Sequence, residues 1–319
     1  MKVAAIDCGT NTVLLLLAEW QPGRHPRLRR LADFMEMPRL GQGLDASGRL
    51  QPEAIARGLA ALQRQRQRAE EAGAQHIVAI ATESVRAAAN GDEFLAAAAA
   101  PPVGVKLRVV GGDEEARLSY RSVAESSPGG SVSGERQDSG FRSVLDIGGG
   151  STELIVGQGR SLHSHRSVPI GSVRLTERLI RSDPPSPAEQ QALIDTIDQA
   201  IAALPQPQGD LVALAGTATS VASLHLGAAM PTYDGERIDG MRLAVADLEQ
   251  LIGRLASLSV AERRALPGLD PRRADVIYAG ATILWRIALR AGVSHFTVSD
   301  RGVRWGAMEE FIDSLAASA

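Results

Sequence analysis

Short apolar runs alternate with longer amphipathic stretches along the chain, the spacing expected of strands interleaved with helices. Val3–Ile6 and Val13–Ala18 flank Asp7-Cys8-Gly9-Thr10-Asn11-Thr12, which predicts a strand, a polar turn and a second strand. Between Pro52 and Gly73, Ile55, Leu59 and Leu62 recur at helical spacing beside an arginine and glutamine face, so a helix is predicted, followed by a strand at Ile77–Ala81. Val105–Val110 reads as another strand. Gly111-Gly112 turns it into a helix beginning at Asp113-Glu114-Glu115, acids that suit the positive end of a helix dipole. A second hairpin is predicted where Val144–Ile147 and Glu153–Val156 enclose Gly148-Gly149-Gly150-Ser151-Thr152. Ser186-Pro187-Ala188-Glu189 is a capping box with proline at the first helical position, opening a helix that runs to Leu204. Leu211–Ala215 reads as a buried strand leading into Gly216-Thr217-Ala218-Thr219, Ala274–Ala291 as a helix, Phe296–Val298 as a strand and Val303–Leu315 as a closing helix. This alternation places the chain in the α/β class.

The two hairpins repeat each other. Superposing Asp146 on Asp7, an offset of 146 − 7 = 139, aligns apolar strand, Asp, any residue, Gly, two small or polar residues and a hydroxyl in both, with apolar positions resuming beyond. A single Asp-x-Gly turn is ordinary hairpin chemistry. Two of them, one heading each half, point to phosphate. A glycine and hydroxyl turn directs successive backbone N–H groups into a concavity that accepts phosphate oxygens without lysine. An aspartate closing the preceding strand suits hydrated Mg²⁺, which takes carboxylate plus water. The chain contains neither a Gly-x-x-x-x-Gly-Lys-Ser/Thr sequence nor a His-Asp dipeptide, which excludes a P-loop and an HD-type phosphohydrolase.

Composition narrows the field. At roughly 150 residues per domain, the 319 residues correspond to two domains. The Ser, Gly and Pro shift between Ser126 and Gly140 suggests the division, giving domains 1–124 and 125–319. Net charge is −3, so no whole-molecule field attracts nucleic acid or an anionic membrane, and neither is expected as a partner. Aromatics at 3% argue against a stacking platform for single strands. The single cysteine, Cys8, excludes an intramolecular disulfide and reads as a small buried filler. An acidic residue interrupts the start before any signal-like apolar region develops, and Val13–Ala18 is too short for a membrane span, so a cytoplasmic location is expected. His163 and His165 share a strand face without an evident third ligand, and Arg64, Arg66 and Arg68 read as a solvated helix face.

The duplicated Asp-x-Gly hairpins followed by Ala215-Gly216-Thr217-Ala218-Thr219 resemble the superfamily of sugar kinases, heat-shock chaperone ATPases and actin, with its ribonuclease H-like halves. Within it the chain is similar to the exopolyphosphatase and guanosine-pentaphosphate phosphohydrolase family. The resemblance runs through Ala5–Thr12, Ala81-Thr82-Glu83-Ser84-Val85-Arg86, Gly112–Leu118, Asp146–Leu154, Gly216–Thr219 and Val298-Ser299-Asp300. It implies the short form of a two-domain actin-like ATPase fold with an inter-domain cleft, the final helix at 303–315 packing back on the first domain, and hydrolysis of a terminal phosphoanhydride. On the same basis Glu115 is the general base, and Glu153 is both catalytic and, with Asp7 and Asp146, a support for Mg²⁺, for which Mn²⁺ can substitute. Phosphate contacts are implied for Gly9, Thr10, Asn11, Thr12, Arg86, Gly148, Gly149, Gly150, Ser151, Thr152, Gly216, Thr217 and Arg273. A homodimer is the assembly the resemblance allows. Leu14 departs from the basic residue many members carry two positions after the first-loop hydroxyl, removing one charge from the expected groove.

Inorganic polyphosphate is the first substrate expected, because it requires phosphate contacts alone. Guanosine pentaphosphate is the alternative, with the same chemistry and a base to recognise. A small-molecule kinase on this fold and a non-catalytic alarmone or polyphosphate sensor are the competing classes; the Glu-Glu-Ala-Arg setting of Glu115 favours hydrolysis over both.

Overall fold

The computed structural model describes residues 1–24, 27–124, 140–227 and 233–318; the predicted division at Ser126–Gly140 lies, apart from Gly140, outside them. The chain clusters into two compact units, Met1–Val132 with Gly302–Ala319, and Ser133–Arg301. The second unit therefore ends at Arg301, and the last eighteen residues belong to the first.

Unit 1 holds a five-stranded sheet of β1 (Lys2–Cys8), β2 (Val13–Trp20), β3 (Leu28–Glu36), β4 (His76–Ala81) and β5 (Arg108–Val109), ordered β3-β2-β1-β4-β5. The first three strands form an antiparallel meander, and β4 joins β1 in parallel. Val3 to Ile6 is apolar without alternation because β1 is covered on both faces. On one face Ala4, Ile6 and Cys8 pack with Ala61, Leu62 and Ala69 of the Pro52–Glu71 helix. On the other, Val3, Ala5 and Leu16 meet Trp305, Met308 and Ile312 of the closing helix Val303–Ser318.

Charge pairs reinforce that attachment. Arg27 donates to Glu309 at 2.7 Å and Asp313 at 2.5 Å, Arg117 to Glu310 at 2.6 Å, and Arg304 to Asp33 at 2.9 Å. The closing helix also crosses the Gly112–Ala124 helix backbone to backbone: a Cβ on Gly306 would stand 2.0 Å from the Leu118 carbonyl oxygen. Gly306→Ala is therefore expected to cost about 1–3 kcal/mol by overpacking, read as a lower urea midpoint at unchanged m-value. An unchanged midpoint would mean that the crossing relaxes without penalty.

Unit 2 repeats the plan. Its sheet contains β6 (Phe141–Ile147), β7 (Thr152–Gln158), β8 (Ser161–Val168), β9 (Asp210–Leu214), β10 (Arg242–Ala244) and β11 (His295–Val298), ordered β10-β11-β9-β6-β7-β8. Here β8, β7 and β6 form the meander and β9 joins β6 in parallel, as β4 joins β1. Leu145, Ile147 and Leu154 pack beneath the Pro187–Ile201 and Ile277–Ala291 helices.

Most predicted elements lie where the apolar pattern puts them. Ser186 and Glu189 make the reciprocal capping bonds. The Val105–Val110 strand shrinks to Arg108–Val109, because only those two residues pair with β4. The Leu211–Ala215 strand stops at Leu214, and Ala215 opens the next helix at a positive φ of 64°. The strand expected around His163 and His165 is β8, whereas the edge strand β3 escaped prediction, since its faces carry too many polar residues to alternate cleanly.

Candidate active site

Each hairpin turn is closed in the same way. Gly9 N–H donates to the Thr12 carbonyl at 2.9 Å, and Gly148 N–H donates to the Ser151 carbonyl at 3.0 Å. Asp7 and Asp146 occupy matching positions, one strand step before each turn, and each also has a parallel neighbour, Ile80 on β4 and Leu214 on β9.

The turn carbonyls are tied back into the protein. In unit 1, Thr10 and Asn11 accept from the N–H groups of Gly41 at 2.8 Å and Arg39 at 3.1 Å. Gly41 is required there, since a Cβ would come 2.3 Å from Thr10 Cγ2, and Arg39 holds a left-handed φ of 53°. In unit 2, the Ser172 N–H donates to Gly148, those of Val173 and Arg174 to Gly149, and the Arg174 guanidinium to Gly150 at 2.5 Å. These N–H groups open the Ser172–Leu179 helix, so one contact satisfies both the helix end and the turn. A Cβ on Gly171 would stand 2.4 Å from the Gly149 oxygen, which explains the glycine.

With the carbonyls occupied, the opposite polarity is left without a protein partner. Among the described residues, no protein acceptor takes the N–H groups of Thr10 and Asn11 in one turn, or Gly149, Gly150 and Ser151 in the other. The Asn11 side-chain amide is 7% exposed, yet neither its Nδ2 nor its Oδ1 has a protein partner. Buried polar atoms are normally satisfied. A peptide turn with unpartnered donors and a buried unsatisfied amide suits an anion.

The Gly216–Thr219 motif follows β9, the parallel neighbour of β6, which leads into the second turn. Strand β9 ends at Leu214, which cannot cap with its side chain, leaving the first N–H groups of the Ala215–Leu226 helix unmet by a cap. The Arg273 guanidinium lies directly on Gly216: a Cβ there would be 2.3 Å from both terminal nitrogens. Gly280 likewise makes room for Thr217, whose Oγ1 would stand 2.7 Å from an added Cβ.

Asp146 and Glu153 are directly opposed across the β6–β7 ladder and are 6% and 2% exposed. Ser167, opposite Glu153 on β8, donates its hydroxyl to Glu153 at 2.6 Å. The matching register in unit 1 sets Leu14 opposite Asp7. The second carboxylate thus exists in unit 2 alone, and the departure at Leu14 occupies its structural counterpart. Among the described residues, no three His, Cys, Asp or Glu side chains form a metal-binding group. A buried carboxylate pair nevertheless fits Mg²⁺, which keeps waters and takes substrate oxygens rather than requiring an all-protein cage.

Glu115 differs from the two acids before it. Asp113 is exposed and Glu114 pairs with Arg108, whereas Glu115 is 7% exposed and sits one turn into the helix, its N–H on the Gly111 carbonyl at 2.8 Å. Arg86 Nη1 donates to Glu115 at 3.2 Å and to the Val110 carbonyl at 2.7 Å, and its Nη2 donates to Glu83 at 2.5 Å. Burial alone would lower the Arg86 pKa, but the Glu115 and Glu83 carboxylates outweigh it and hold the guanidinium above its ordinary value. Burial, with help from Asp7, pushes the Cys8 thiol far up, so Cys8 is inert as a nucleophile.

The model of the Ppx/GppA phosphatase family matches residues 24–315. This chain belongs to that family. Its reaction class is phosphoanhydride hydrolysis, on the two-domain actin-like ATPase fold. Among relatives of this Ppx/GppA protein, Exopolyphosphatase 2 of Mycobacterium tuberculosis is 37% identical over 317 residues, covering 95% of this chain and 96% of that protein. A solved Ppx/GppA member from Aquifex aeolicus is 29% identical, covers 98% of both chains and superposes with a TM-score of 0.79. An exopolyphosphatase from Cytophaga hutchinsonii, 23% identical over 98% of both chains, shares the fold at a TM-score of 0.85. Among the described residues, no helix is long and apolar enough to cross a membrane.

Sequence reading missed the Arg39–Gly41 brace and the Gly171–Arg174 segment, which hold the two turns from behind. Their signals were present: Arg39-Leu40-Gly41-Gln42-Gly43 carries spaced glycines, and Gly171-Ser172 precedes an amphipathic helix. What each glycine must accommodate lies far away in sequence.

Proposed function

We propose that this Ppx/GppA protein is an exopolyphosphatase that removes orthophosphate from the end of inorganic polyphosphate. The observation that supports it most directly is the pair of turns whose carbonyls are tied back and whose N–H groups meet no protein acceptor among the described residues. Such turns grip phosphate oxygens one after another without reading any other group. In unit 1 the proposal assigns phosphate contact to Gly9–Thr12 and proton transfer to Glu115. In unit 2 it assigns phosphate contact to Gly148–Thr152, Gly216, Thr217 and Arg273.

The Glu115 carboxylate takes a proton from water as the water oxygen bonds to the terminal phosphorus. The bridging P–O bond breaks, releasing orthophosphate and a chain one unit shorter. The turn N–H groups and Arg273 stabilise charge on the phosphoryl oxygens, and positioning supplies most of the rate. Asp146 and Glu153 would hold Mg²⁺, which when bound neutralises phosphate charge.

One observation favours guanosine pentaphosphate as a second reading. Tyr233 is 53% exposed, and its hydroxyl donates to Asp300, the residue that follows β11 by way of Ser299. Ser299 N–H bonds to the Ala213 carbonyl of β9, so this ring stands at the same strand ends as Gly216 and offers a face for a base. The deciding assay supplies defined-length polyphosphate and guanosine pentaphosphate separately, with Mg²⁺ or EDTA. Orthophosphate release from polyphosphate with Mg²⁺ is expected. Release from the nucleotide alone would reverse the ranking, and ATP-dependent phosphorylation of an acceptor without hydrolysis would replace both readings by a kinase.

A further inference from the structure

The Arg86 guanidinium has two carboxylate partners, and the proposed mechanism employs one of them. Glu83 and Arg86 lie three residues apart on the Glu83–Ala87 helix, so their side chains share a face. Their contact, at 2.5 Å, is shorter than the 3.2 Å contact from Arg86 to Glu115. Both Nη1 protons are directed, one to the Val110 carbonyl and one to Glu115, while Nη2 meets Glu83. Because the guanidinium is planar, fixing Nη2 also fixes the plane in which Nη1 reaches Glu115.

We propose that Glu83 is a positioning residue for the reaction, acting on the Glu115 base through Arg86; this rests on the reading of Glu115 as the base. Two effects follow from one contact. Glu83 holds Arg86 in register, so that Arg86 orients Glu115 instead of turning wholly toward substrate. Glu83 also shares the positive charge. An arginine paired with one carboxylate alone would draw charge from that carboxylate and weaken it as a base, whereas a second carboxylate offsets this pull. The arrangement is a carboxylate–guanidinium–carboxylate relay in which only the buried member, Glu115, accepts a proton.

Glu83→Gln removes the charge and keeps the shape. The expected result is a fall in kcat of about three- to tenfold with KM for polyphosphate unchanged and the same urea midpoint. Introduced into an Arg86→Met background, Glu83→Gln should cause no further loss, because the path from Glu83 to Glu115 is already cut. Equal losses in both backgrounds, or a raised KM at unchanged kcat, would overturn the proposal; the latter would make Arg86 foremost a substrate contact. Glu115→Gln, assayed in parallel, separates the two readings. Turnover retained in Glu115→Gln would overturn the base itself and this proposal with it. An inactive Glu115→Gln beside a fully active Glu83→Gln would overturn the role of Glu83 alone.

Discussion

Glu115→Ala is expected to lower turnover on polyphosphate by about 10²–10⁴-fold, the range of general base catalysis, while leaving polyphosphate binding within a factor of a few. The structure separates these effects. Glu115 lies in the first turn of the Gly112–Ala124 helix and is tied to Arg86, whereas the phosphate contacts proposed for unit 1 come from the turn Gly9–Thr12. Losing the carboxylate leaves Arg86 with Glu83 and the Val110 carbonyl as partners, so no buried charge is stranded and the fold should persist. The measurement is a steady-state assay of orthophosphate release beside equilibrium binding of a fluorescent polyphosphate. Wild-type turnover in Glu115→Ala would reject Glu115 as the base. Lost binding would instead place Glu115 among the groups that hold substrate.

Asp146→Asn is expected to shift the Mg²⁺ requirement upward by about 10–100-fold, with partial recovery of rate at high Mg²⁺. Asp146 and Glu153 are buried and directly opposed on adjacent strands, a position where like charges repel unless a cation or proton intervenes. The same substitution should therefore raise the melting temperature of the metal-free protein, since it relieves that repulsion at little cost in shape. Activity falling while stability rises is the signature of a site whose charge serves function. Mn²⁺ binding followed by electron paramagnetic resonance gives a readout independent of turnover. Unchanged Mn²⁺ affinity together with an unchanged Mg²⁺ profile would remove Asp146 from the metal site.

Much of this arrangement is legible in the linear chain because the relevant contacts are local. A hairpin turn is written by its own residues, so both Asp-x-Gly turns and their offset of 146 − 7 = 139 could be seen before any fold was known. The helix beginning at Gly112 is equally local. The register then added what spacing alone left open: Glu153 stands opposite Asp146, and Leu14 stands opposite Asp7, so the two turns are alike in backbone and unlike in charge. The bland reading of Glu115 as one more acid at a helix start does not describe its environment, since burial and the Arg86 contact set it apart from Asp113 and Glu114.

Sequence by itself determined the α/β class, the duplicated turns, the helix caps and the residue types available for phosphate chemistry, because each depends on neighbours within a few positions. Tertiary structure alone decided which backbone groups those turns leave without a protein partner, since the partners that occupy their carbonyls come from Arg39, Gly41 and Ser172–Arg174. It also decided which residues dock the closing helix on the first unit, Trp305, Met308 and Ile312 against β1 and β2, and that Arg86 bridges Glu83 and Glu115. The closing helix pairs with residues up to 286 positions away, as Asp313 with Arg27, and no local pattern encodes a partner at that distance. The physical reason is that turn and helix propensities act along the backbone, whereas burial and charge pairing are settled only when the chain has packed.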